Sequence, residues 1–94
     1  MLSQLPTDFN KVSGKNLDQE ILRAAMIAEL DAVSFYEQMA ALATDEDIRD
    51  VLLDIAKEEK VHMAEFQAML FRFDEEQVKG ISQAQKEIKA ITGK

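Results

Sequence analysis

At 94 residues the chain is one small domain, near the size at which a single chain struggles to bury an adequate core. Its 47% hydrophobic and 31% charged residues describe a folded protein, and the lack of cysteine excludes disulfides, a thiolate nucleophile and any Cys-ligated zinc or iron–sulfur centre. A net charge of −7 argues against nucleic-acid binding, every apolar run is too short to span a membrane, and the start of the chain lacks a signal peptide, so a cytoplasmic protein is expected.

Residues 1–15, with Pro6, Ser13 and Gly14, read as a flexible N-terminal arm, leaving 16–94 as the folded domain. Helical periodicity starts near Leu17 and Asp18 and persists to about Leu42. Thr44-Asp45-Glu46-Asp47 then reads as a short turn with an N-cap, its acids suited to the positive end of the next helix. The second helix runs from about Glu46 to Phe71 or Arg72. Asp74 to Lys79 is expected to form a short helical piece broken at Gly80. Ser82 is expected to cap a last helix bearing Ile81, Ala84, Ile88 and Ile91, which Gly93 ends. The expected fold is all-α: an antiparallel two-helix hairpin plus a short C-terminal helix. A lone hairpin cannot cover its own apolar face, so a second copy is expected to do it.

The chemistry depends on which charged residues fall among apolar ones. At helical spacings Glu29 has Leu22, Ala25, Met26, Ala32, Val33 and Tyr36 as neighbours, so it is the lone acid in a stripe that reads as buried. Glu59 has Leu52, Ile55, Ala56, Met63 and Phe66, with His62 one turn on. Glu58 is the control: its stripe includes Asp54 and Glu65 and reads as solvent-facing. If the hairpin turns near residue 44, Glu29 and Glu59 lie at the same height, roughly 22 Å from the turn. Carboxylates buried together need a proton or a cation, and a divalent metal is the natural compensation.

Glu59-x-x-His62 has the spacing of the i,i+3 ligand pair in ferritin-like di-iron bundles, where two such pairs join single glutamates from two further helices. Oxygen donors with imidazole suit Fe or Mn and also admit Zn or Co. The chain holds one histidine, so a complete site needs two copies about a two-fold axis, each giving Glu29, Glu59 and His62. The bland alternatives are that His62 pairs with Glu58 or Glu65 and Glu29 with Arg23 or a lysine. Tyr36 and the methionines then merely fill the core.

Ile27-Ala-Glu29-Leu-Asp31-Ala-Val-Ser-Phe-Tyr36-Glu-Gln-Met-Ala40, with Val51-Leu-Leu-Asp-Ile-Ala-Lys-Glu-Glu59-Lys-Val-His62, resembles the encapsulated ferritin family, small ferritin-like proteins carried inside encapsulin nanocompartments. The resemblance covers residues 18–92 and joins Glu-x6-Tyr to Glu-x-x-His. It implies a ferritin-like four-helix bundle made by homodimerisation, ring-shaped homodecamers, and an encapsulin shell that holds the stored iron. It also implies a ferroxidase, an oxidoreductase that turns Fe(II) into Fe(III) with dioxygen at a di-iron centre between subunits. Glu29 then bridges the irons, Glu59 and His62 ligate them, and Tyr36 matches an aromatic beside the site. Asp31 matches an acid that draws metal inward, although Ala28 stands where a companion acid is expected and Phe35 where some relatives carry Trp. The C-terminal stretch Glu87–Lys94 lacks the hydrophobic tag of separate cargo and resembles the point where archaeal relatives run into a shell domain. It is expected to mark the front domain of such a fusion or a trimmed cargo chain. Two rival readings are another di-metal oxidoreductase, peroxidase- or catalase-like, and a non-catalytic helical oligomerisation module.

Overall fold

The computed structural model describes residues 14–94, which form three helices and, among the described residues, no strand: α1 (Gly14–Leu42), α2 (Glu46–Leu70) and α3 (Glu75–Thr92). The all-α hairpin with a C-terminal helix is as expected. The first thirteen residues of the expected arm lie outside the described residues. Its last two belong to α1, which begins at Gly14 with a φ of 60°. The expected start near Leu17 came from apolar periodicity, and the residues before it are too polar to register in such a pattern.

The turn between α1 and α2 is closed from both sides. Asp45, in extended backbone, accepts a hydrogen bond from the Ile48 amide at 2.9 Å, a standard N-cap. Arg49 of α2 donates to the Ala43 carbonyl at 2.9 Å, so a cation satisfies a carbonyl just beyond the negative end of α1. Three residues therefore suffice to reverse the chain, and α1 and α2 pack along their lengths.

The core between them is slight. Its buried apolar residues are Ala24, Val33, Ala40, Ala56 and Leu70, three of them alanines. Large apolar side chains remain outside: Ile48 is 56% exposed, Val51 59% and Leu30 51%. One copy of this hairpin does not bury its own hydrophobic surface.

α3 departs from the sequence reading. It is one continuous helix through Gly80, capped by Asp74, whose side chain accepts from the Gln77 amide at 3.0 Å; it is not split into a short piece and a second helix capped by Ser82. An interior glycine costs about 1 kcal/mol relative to alanine, which the good helix formers on either side outweigh. Gly93 ends the helix as expected, in the left-handed region at φ 79°, with its amide on the Lys89 carbonyl. α3 packs on neither α1 nor α2. The described chain spans 45 × 44 × 20 Å, a flat elbow with the hairpin as one arm and α3 as the other. No described helix is long and apolar enough to cross a membrane.

Candidate metal centre

Glu29, Glu59 and His62 converge. One donor atom from each lies within 4.8 Å of the others, and this is the one such group of three among the described residues. His62 Nδ1 is 3.5 Å from Glu59 Oε2 on its own helix and 3.8 Å from Glu29 Oε2 on α1. The equal distance of the two glutamates from the turn sets their common height. The i,i+3 spacing puts His62 beside Glu59.

The electrostatics of the group are incomplete. The carboxylates are largely buried, with side chains 21% and 19% exposed, whereas the imidazole is 49% exposed. Glu29 Oε2 is buried without a hydrogen-bond partner, the only side-chain atom so placed among the described residues. An orphaned carboxylate oxygen in apolar surroundings costs about 1–3 kcal/mol or more unless a cation answers it. Two carboxylates and one imidazole form a donor set that a divalent transition metal satisfies. The residues fit a divalent metal ion.

Among the described residues the bland pairings do not occur. Arg23 turns to Glu20 at 2.8 Å and Asp74 at 2.6 Å instead of Glu29, while His62 faces Glu29 and Glu59 instead of Glu58 or Glu65. Glu58 is exposed, in keeping with its reading as a solvent-facing control. Tyr36 is half-buried on α1 with its ring centroid 5.8 Å from that of Phe35. Asp31 is buried at 9% exposure and stands outside the cluster. Two residues along a helix turn it about 200° from Glu29. Sequence reasoning missed the ion pair of Lys60 with Glu37 at 3.1 Å, which joins α2 to α1 next to the group. Both partners are about half exposed, so the pair adds little stability. Its signal, opposite charges beside Glu59 and Tyr36, is visible only once the helices are in register.

The site lies in an apolar stripe on α2. Ile48, Ile55, His62 and Met69 recur at seven-residue intervals, with Leu52, Glu59 and Phe66 as the interleaved set. Ile48 and Met69 are exposed, so the described residues leave the stripe uncovered at both ends.

A family model described as EncFtn-like matches residues 4–77. The chain is 47% identical to a ferritin-like–encapsulin shell fusion protein of Pyrococcus furiosus over 99% of its own length. It spans only 28% of that relative. The crystal structure of the encapsulated ferritin domain from Pyrococcus furiosus superposes with a TM-score of 0.84 at 48% identity, covering 100% of this chain and 98% of that one.

Proposed function

This chain belongs to the EncFtn-like family, and from that premise we propose that it oxidises Fe(II) to Fe(III), with dioxygen as electron acceptor, at a site shared by two copies. The observation that carries this reading is the buried, partnerless Glu29 Oε2 facing His62. Iron bound there is the substrate as well as the redox centre, each Fe(II) giving up one electron.

The protein's own part is to hold and orient. Glu29 and Glu59 supply negative charge at a largely buried position, where it attracts a cation more strongly than it would in water. His62 supplies a neutral nitrogen through the ring edge that faces both acids. Tyr36 offers a hydroxyl about two turns along α1 from Glu29, as an outer group beside the site. For Asp31 we retain a part in drawing cations inward, tested by the loading rate of Asp31→Asn.

Two copies are required by count and by surface. A di-iron bundle takes six protein ligands and one chain brings three, with its single histidine already used. A two-fold axis through the exposed side of His62 brings the second set and covers the stripe that includes Ile48 and Met69. The proposed stoichiometry is two irons per dimer. Further assembly into a homodecamer, and delivery of ferric iron to storage inside an encapsulin nanocompartment, are part of the same proposal. The latter draws on the shell fusion of the Pyrococcus relative.

The experiment is anaerobic titration with Fe(II) followed by air, reading absorbance and particle size for wild type and Glu29→Ala. About one iron per chain, rapid ferric absorbance, and loss of both in the variant is the expected result for the six-ligand site. Oxidation no faster than buffer would leave a helical oligomerisation module.

A further inference from the structure

Polar contacts tie the root of α3 to the hairpin. α3 has no helix-to-helix contact with the hairpin. Two long-range hydrogen bonds are among the contacts that join its root to α1. Arg23 Nη2 donates to Asp74 Oδ2 at 2.6 Å, and Gln19 Nε2 donates to the Phe73 carbonyl at 2.8 Å.

Asp74 has two jobs at once. Its Oδ1 caps α3 through the Gln77 amide while its Oδ2 receives Arg23, so one carboxylate ties the start of α3 to the third turn of α1. Its side chain is only 12% exposed, which strengthens the pair relative to one at the surface. Glu20 holds the other guanidinium nitrogen at 2.8 Å and so fixes the fork. The hydrogen bond to Asp74 keeps the Arg23 guanidinium above its ordinary value, against the lowering effect of burial.

Beside this junction is an open apolar cleft of about 370 Å³, lined by Met26, Ile27, Leu30, Leu70, Phe71 and, at the root of α3, Ile81. α3 thus starts at the rim of a cleft it does not fill. Its own apolar residues, Val78, Ile81, Ile88 and Ile91, recur at helical spacing, and all but Ile81 are exposed. Burial of apolar surface favours folding this stripe back onto the cleft. The observed elbow keeps it out.

We propose that Arg23 and Asp74 form a latch that holds α3 away from the hairpin, and that releasing the latch lets α3 close over the Met26–Leu30 cleft of its own chain. The latch is a conformational device, separate from the metal chemistry. It decides whether the apolar stripe of α3 is offered outward or spent within the chain.

The chain has no cysteine, so spin labels can be placed at will through Lys57→Cys and Ala90→Cys, both exposed positions, one on α2 and one on α3. Labelled chains are diluted into unlabelled ones so that pulsed dipolar spectroscopy reads distances within one copy. The wild-type latch gives a single long distance. Arg23→Gln and Asp74→Asn each add a population at shorter distance, whereas Arg23→Lys keeps most of the wild-type distribution. Asparagine is itself a good N-cap, so Asp74→Asn removes the charge pair and leaves α3 helical, which circular dichroism verifies. An unchanged distribution in both Arg23→Gln and Asp74→Asn, or one that spreads only to longer distances, overturns the proposal.

Discussion

Glu29 Oε2 lies 3.8 Å from Nδ1 of His62, across the gap between two helices, and neither this approach nor any other gives it a hydrogen bond. The carboxylate is therefore a cost to the folded chain until something positive arrives. Replacing Glu29 with Met is expected to stabilise the metal-free protein by about 1–3 kcal/mol, the desolvation penalty of an unpaired buried group. Urea unfolding in chelator, at fixed protein concentration, measures it. A Glu29→Met protein less stable than wild type would show that the carboxylate is already satisfied.

His62 makes the opposite prediction. Its side chain is 49% exposed and fills no core, so His62→Ala should leave helicity and metal-free stability almost unchanged. Bound iron is expected to fall to half or less, and oxidation to the buffer rate. Unimpaired iron oxidation by this variant would remove His62 from the ligand set.

Ile48 and Val51 are more than half exposed in the single chain, where changing them should cost little. If this exposed apolar surface meets a second copy, Ile48→Asp with Val51→Lys should split the dimer in sedimentation velocity. Iron oxidation should vanish with it although Glu29, Glu59 and His62 are all retained. A dissociated protein that still oxidises iron at the wild-type rate would mean that one chain suffices.

At the hairpin turn, Asp45→Ala removes the acceptor for the Ile48 amide and is expected to cost about 1 kcal/mol, while Asp45→Asn costs little. Thermal unfolding of the metal-free forms separates the two. Equal midpoints for the alanine and asparagine variants would count against the cap.

Gly80 has helical backbone and open space around the position of a Cβ, with the nearest side-chain atom 4.0 Å away. Gly80→Ala should therefore stabilise α3 by about 0.5–1 kcal/mol. Slower amide exchange confined to α3 would show it. No change would mean that α3 is already fixed by contacts outside the chain.

The hairpin and the three candidate ligands were legible in the sequence because they rest on local rules. Period 3.6 gives the helices, an acidic cluster gives the turn, and equal counting from that turn sets Glu29 level with Glu59. Gly80 misled because propensity was read as a break, when one glycine is a surmountable cost inside eighteen residues of α3. The tie between Arg23 and Asp74 was out of reach: 51 residues separate them, and no periodicity links positions on different helices. Asp31 shows the same limit. The resemblance offered it as an acid that draws metal inward, and its burial comes from surroundings that its own helix does not specify.

Three of the five buried apolar residues among those described are alanines, and Ala56, 2% exposed, sits one turn before Glu59. Methyl groups act here as spacers, letting the two helix axes draw close enough for short reaches from Glu29 and Glu59 to meet. The bore of the site is gauged by side chains that never touch its contents. Widening that gauge at Ala56 by a few carbon atoms would detune the centre while leaving every donor chemically intact. If the proposed site takes an ion, Ala56, the least reactive residue beside it, sets how large that ion can be.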